Sequence, residues 1–209
     1  MTQKQREPSG RFRSVSFILL FSVLWVSTGC DTPGESLCGQ ESQMKGVAVT
    51  SSSVNCGVIT LPEIEDATLY TCDGQTQTIM DTVRNHDVTY ITFGAQWCTA
   101  CQKEVAIINS EIVEHFDAAK VGVIQILVED NLDEPPTAGV CQAWADSLKP
   151  EFTLLTDLNQ ATVPLYFEDG ISILPMHLIA TRDGKIRYEA LGPMTDDLQS
   201  LIEPWVDTP

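Results

Sequence analysis

The period of the apolar positions changes several times along the chain, and each change marks an element. Val15 to Val26 is one apolar run without a charge. Val47-Ala-Val49 and Val58-Ile-Thr-Leu61 alternate weakly, as short strands do. Leu61 to Thr71 reads as a strand closed by a turn at Asp73-Gly74, and Gln77 to Arg84, with Ile79, Met80 and Val83 apolar, as a short helix. Thr89 to Phe93 alternates again. From there Val105, Ile108 and Ile112 take up helical spacing, in a helix ending near His115 or Phe116. Val121 to Val128 is nearly continuous in apolar residues, the pattern of a strand buried on both faces. Thr137 to Leu148 carries Val140, Cys141, Trp144 and Leu148 on one helical face, Phe152 to Leu155 is a further strand, and Asp157 to Ala161 begins another helical turn. Met176 to Ala180, a turn at Asp183-Gly184 and Ile186 to Leu191 form a hairpin; Gly192 breaks it, and Thr195 or Asp196 caps a last helix through Leu198, Leu201, Ile202 and Trp205. Strands alternating with helices imply an α/β fold whose sheet has parallel members.

Charge and the N-terminus narrow the setting. Lys4, Arg6, Arg11 and Arg13 precede the first apolar run, which is too short to span a bilayer and suits the core of a signal peptide over residues 1–29. Ser27-Thr28-Gly29-Cys30 resembles a bacterial lipobox, with Ser27 where an aliphatic residue is usual, and that resemblance implies lipidation of Cys30. Residues 30–60 read as a tether and N-terminal extension, and residues 61–209 as the folded domain. From residue 30 onward the chain keeps eight of its 12 Lys and Arg and 28 of its 29 Asp and Glu, a net charge of −20. Such a domain is a poor ligand for nucleic acid or for anionic headgroups, so membrane contact would run through the lipid.

Cysteine carries the candidate chemistry. Of the seven, Cys30 is assigned to lipid, and six remain in an exported, oxidising setting. Cys98 and Cys101 stand three apart where a strand runs into a helix, in Trp97-Cys98-Thr99-Ala100-Cys101. A helix N-terminus offers unpaired N–H groups and partial positive charge, which favour a thiolate at Cys98 as nucleophile; Cys101, one turn on, can resolve the mixed disulfide. The other four cysteines allow three pairings. Local proximity favours Cys38–Cys56, with Cys72–Cys141 as a longer staple. A zinc site is disfavoured, since one Cys-x-x-Cys with His86, His115 and His177 gives poor ligand spacing. No metal or cofactor is called for.

This stretch resembles the active-site segment of thioredoxin-fold proteins, in particular the TlpA/ResA-like oxidoreductases, in its strand, its Trp-Cys-x-x-Cys and its Glu104 three places after the second cysteine. Downstream, Leu174-Pro175 opens an apolar strand, where a proline is awkward unless the bond is cis. The resemblance implies a cis-proline there, facing the redox pair. It further implies a thioredoxin-like fold with a central mixed sheet flanked by helices, a substrate surface at Trp97, Leu174 and Pro175, and a role for Glu104 in proton transfer. Substrates would be exported cysteine proteins, apo-cytochrome c among them, with a membrane redox partner supplying electrons. Three departures stand out. Thr92 occupies the place of the buried Asp of thioredoxins, Thr99-Ala100 is neither Gly-Pro nor Pro-His, and Ala106 replaces a proline common in the family, so that no kink is expected there. His177 reads as a structural strand residue.

Other classes fit less well. A peroxiredoxin shares the fold but needs a Thr-x-x-Cys motif, and Ala95 stands three places before Cys98. A Sco-like copper chaperone has three residues between its cysteines rather than two. A non-catalytic lipoprotein, with Cys98–Cys101 as a permanent bond and the fold serving only to bind a partner, is the alternative reading.

Overall fold

The structure is a computed structural model that describes residues 61–167, 170–171 and 173–207. The signal peptide, the tether, the strands near Val47 and Val58, Cys30, Cys38 and Cys56 lie outside the described residues. Among the described residues, seven strands form one mixed sheet. In chain order they are β1 (Thr68–Tyr70), β2 (Thr76–Thr78), β3 (Val88–Ala95), β4 (Val121–Glu129), β5 (Thr153–Thr156), β6 (Met176–Thr181) and β7 (Ile186–Leu191), and across the sheet they run β2-β1-β5-β4-β3-β6-β7. The pairs β3–β4 and β4–β5 are parallel, and the remaining pairs are antiparallel. The central strands β3 and β4 are buried almost throughout, which is why their sequences read as apolar runs.

The helices are α1 (Ile79–Val83), α2 (Thr99–Ile108), α3 (Ala138–Leu148), α4 (Val163–Tyr166) and α5 (Leu198–Ile202). Parallel crossovers are right-handed. The units β3-α2-β4 and β4-α3-β5 both step the same way across the sheet, so α2 and α3 cover one face. Side chains alternate along a strand, and that face takes Tyr90, Thr92 and Gly94 from β3 and Val123 and Gln125 from β4. The opposite face holds Phe93, whose ring lies 4.9 Å from that of Tyr166 in α4 and 5.6 Å from that of Phe167.

Among the boundaries that differ from expectation, β1 is confined to Thr68–Tyr70 and Gln77 falls in β2 rather than α1, and two others shift for a local polar reason. Asp157 does not start a helix: its buried carboxylate accepts from the N–H groups of Ala161 (2.7 Å) and Thr162 (2.8 Å), folding the chain into a turn, and α4 begins at Val163 with Pro164 in its first turn. The last helix is capped by Asp197 rather than Thr195 or Asp196. The Asp197 carboxylate accepts from Gln199 N (3.1 Å) and Ser200 Oγ (2.8 Å), while Asp196 takes the Tyr188 hydroxyl. The active-site helix runs straight past Ala106 and then widens into a π-helical turn over Asn109–Val113, where the Asn109 side chain holds Lys149 O and Glu151 N, each at 3.0 Å.

A disulfide between Cys72 and Cys141 closes a loop across 69 positions and ties α3 to the chain just past β1. Closing a loop of that length removes entropy from the unfolded chain equivalent to about 4 kcal/mol. The Cys72→Ala/Cys141→Ala variant is therefore expected to lose about that much in urea unfolding. A variant as stable as the parent would mean that the bond adds nothing to the fold.

Candidate functional site

The site forms where β3 ends and α2 begins. Cys98 is the N-cap of α2: its Sγ accepts from Cys101 N at 3.1 Å, and its backbone carbonyl accepts from Gln102 N. The two sulfurs are joined. A thiolate on Cys98 would keep the same N–H and the positive end of the helix. Cys98 is only 4% exposed at the helix start, and Cys101 beneath it is fully buried. The cause is the close seat of α2 on β3. A Cβ at Gly94 would stand 3.1 Å from Cys101 Cβ and 3.3 Å from its Sγ, so a side chain there would press the helix outward by a few tenths of an ångström.

Trp97 does not close the site over. Its ring is 41% exposed, and its Nε1–H donates to Glu129 Oε2 at 3.0 Å. Gln96 joins the same loop, donating its N–H to Glu129 O and accepting at Oε1 from Asn131 N. Burial raises the Glu129 carboxyl, against the lowering effect of the Trp97 bond. The Leu174–Pro175 peptide is cis, and both residues are buried. Phe93 pairs with Met176, so the next step of that antiparallel register sets Pro175 alongside Gly94. The structure thus brings Cys98, Cys101 and Pro175 to one end of the central strands.

Glu104 departs most from its expected surroundings. A lone glutamate on a helix is usually solvated, yet this one is 5% exposed. Its Oε1 accepts from Met194 N at 2.8 Å, and its Oε2 has no partner. Desolvation raises its pKa, and the Met194 bond only partly offsets this. His177, read as merely structural, faces it across 3.7 Å. Gly192 O can only accept, so the His177 Nε2 at 3.0 Å carries the proton; Nδ1 then accepts from the Tyr90 hydroxyl at 2.7 Å. Burial lowers His177 to about 4, which leaves the imidazole neutral. The Glu104–His177 contact is therefore not an ion pair at neutral pH.

One buried polar row was missed from the sequence. Gln125, Thr92 and His177 lie opposite one another across β4, β3 and β6, all fully buried beneath α2. In the sequence Gln125 reads as part of an apolar strand. The single amide in that run was the available signal, since a buried strand carries such a group only at a cost.

These shifts set opposite pH dependences. Glu104 holds its proton more tightly folded than unfolded, so its contribution is full below the ordinary carboxylate range and is lost as pH rises through its raised folded value. His177 is stabilising above its unfolded value of 6.5, and that contribution is lost as pH falls toward about 4. Glu104→Gln should therefore unfold with about 1 kcal/mol more stability than wild type at neutral pH, the order of the cost of a buried, under-bonded carboxylate charge. The gap should close as pH falls through the raised value toward the carboxylate range. Thermal melts across pH check this, and a gap that does not change with pH would rule out the carboxylate charge as its source.

The fold has close counterparts. The chain is similar to the thioredoxin domain of a thiol-disulfide oxidoreductase from Bacteroides vulgatus, at 16% identity and a TM-score of 0.57 over 72% of this chain and 100% of that one. It is likewise similar to a thiol:disulfide interchange protein from Bacteroides sp., at 15% identity and a TM-score of 0.57 over 71% of this chain and 91% of that one. A third is the pneumococcal exposed lipoprotein thioredoxin from Streptococcus pneumoniae, at 21% identity and a TM-score of 0.53 over 66% and 99%. At such identities the likeness establishes the thioredoxin-like α/β fold. No curated protein matches the sequence. A family model described as the AhpC/TSA family matches residues 61–189, well over half of the chain, and the protein belongs to that family.

Proposed function

We propose that the protein is an extracytoplasmic thiol–disulfide oxidoreductase of the TlpA/ResA-like kind, lipid-anchored at Cys30, that exchanges the Cys98–Cys101 pair with exported cysteine proteins. The observation that carries this reading is the Cys98 sulfur in the N-cap position of α2, where the Cys101 N–H and the helix dipole stabilise the thiolate that exchange requires. In the reducing direction, Cys98 S⁻ attacks one sulfur of a substrate disulfide, and the other leaves as thiolate. Cys101 then attacks Cys98, the bond from Cys98 to the substrate breaks, and the second substrate thiol departs. The pair is left oxidised and the substrate reduced by two electrons. In the oxidising direction the same steps run backward, and the partner's potential sets the sign.

Trp97 and the backbone at Leu174–Pro175 flank the pair as the substrate surface, and Glu104, buried one turn beyond Cys101, serves as a proton acceptor close to the resolving thiol. The fit with peroxide chemistry is poor, because Ala95 stands where a Thr-x-x-Cys motif needs its hydroxyl. Apo-cytochrome c and other exported thiol proteins are the substrate class, and a membrane reductase is the electron donor. One of the similar folds is that of an exposed lipoprotein thioredoxin, in keeping with a tethered domain. Among the described residues no helix is long and apolar enough to cross a membrane.

In Cys101→Ser the second step is blocked, and mixed disulfides through Cys98 should accumulate on non-reducing gels; turnover should fall at least about a hundredfold, the scale for loss of an essential group in a concerted site. The Cys98→Ser variant should trap nothing. If the pair instead has a potential well below about −300 mV and Cys101→Ser captures no partner, the bond is structural and the domain is a binding module.

A further inference from the structure

Among the described residues, five buried side-chain polar atoms have no hydrogen-bond partner, and three of them, Thr92 Oγ1, Glu104 Oε2 and Gln125 Nε2, lie in the layer between α2 and the sheet. Gln125 is the most constrained. Its Oε1 accepts from Trp144 Nε1 of α3 at 2.9 Å, and both residues are buried. An indole N–H can only donate, so the amide sense is fixed: oxygen faces Trp144 and Nε2 faces away from it. The point where a Gly94 Cβ would stand is 3.8 Å from Gln125 Nε2 and 3.3 Å from Cys101 Sγ. The donor and the resolving sulfur thus border one small space, which glycine keeps open. An amide N–H without an acceptor in a buried layer is destabilising, and in the disulfide state this one has none.

We propose that Gln125 is the donor to the resolving thiolate: once the Cys98–Cys101 bond opens, Nε2–H of Gln125 turns on the Cys101 sulfur and stabilises it as S⁻, with Trp144 holding the amide in that sense. The inference rests on the oxidoreductase reading for its place in turnover. In that step Cys101 S⁻ attacks Cys98 Sγ of the mixed disulfide, and the bond from Cys98 to the substrate breaks. The proton given up by Cys101 ends on the departing substrate thiolate. No outside oxidant is consumed, because the substrate disulfide has already supplied the oxidising equivalents. A neutral donor here does a different task from a carboxylate. It lowers the energy of the thiolate rather than taking its proton, and it works at a position where Thr92 alone could offer only a short hydroxyl.

Two variants test this. Gln125→Met keeps the volume and removes the donor; Trp144→Phe keeps a ring and removes the bond that orients the amide. In a Cys98→Ala background, Cys101 is titrated by its ultraviolet thiolate absorbance. Its pKa should rise by about one unit in Gln125→Met, a tenfold loss of thiolate stabilisation, and should rise by less in Trp144→Phe. In the chain with both cysteines, equilibration against glutathione at a pH above the Cys101 pKa should show the pair about 30 mV more reducing in Gln125→Met, the same tenfold change. Thermal melts establish that each variant folds; if Gln125→Met does not, the Trp144→Phe titration decides the matter. An unchanged Cys101 pKa in the folded variants overturns the inference and leaves Gln125 as core packing. The titration needs no turnover. A wild-type chain that fails to exchange disulfides would therefore count against the oxidoreductase reading alone, while the Cys101 pKa still reports on Gln125.

Discussion

The first turn of α2 rests on bare backbone at Gly94, and the character of the redox centre depends on that contact. The glycine is there for proximity, since a single added carbon would press on Cys101 Cβ at 3.1 Å. Close seating buries the second cysteine completely and leaves the first only marginally open. It also brings the helix down onto a strand row that is polar where the strands around it are apolar. Strand register then decides the rest: Gln125, Thr92 and His177 are set side by side beneath α2 by the pairing of β4, β3 and β6.

A buried polar layer next to a thiol is costly to charge, and burial works against charge on each titratable group in it. The imidazole of His177 is pinned as its Nε2–H tautomer between Gly192 O and the Tyr90 hydroxyl. Tyr90 is itself pushed well above its usual pKa, first by burial and then by the Glu104 charge, so its proton stays on oxygen. Glu104, anchored by one backbone N–H, holds its proton more tightly than a surface glutamate does. Any charge in this layer, on sulfur or on Glu104, is therefore held against the cost of its burial.

Much of this architecture is legible from one dimension. Pattern alone places β3, β4, β6, β7 and α3 within a residue or two, because each buries a clear stripe or run. The strand-to-helix junction at Trp97-Cys98 is equally plain. What stays hidden is what depends on partners distant in sequence. Glu104 looks like a solvated helix residue until Met194, ninety positions away, is seen to cover it. His177 looks structural until register sets it opposite Thr92. Gln125 vanishes into its run of aliphatic neighbours, although one amide among them is itself a statement of unfinished bonding. The caps of α4 and α5 moved because several carboxylates and hydroxyls crowd each boundary, and only geometry shows that Asp197, and not Asp196, reaches the free N–H groups.

Sulfur at the N-cap gives Cys98 two occupations at once, since the atom that reacts is also the atom that finishes the helix. While it is bonded to Cys101 or free as a thiolate, the first turn of α2 is closed. A partner that draws this sulfur outward into a mixed disulfide leaves the helix frayed at its start, and an unfilled cap costs about 1 kcal/mol. A mixed disulfide formed that way would be under tension from the fold itself. Release would restore the helix, so secondary structure would bias the domain against lingering in that state.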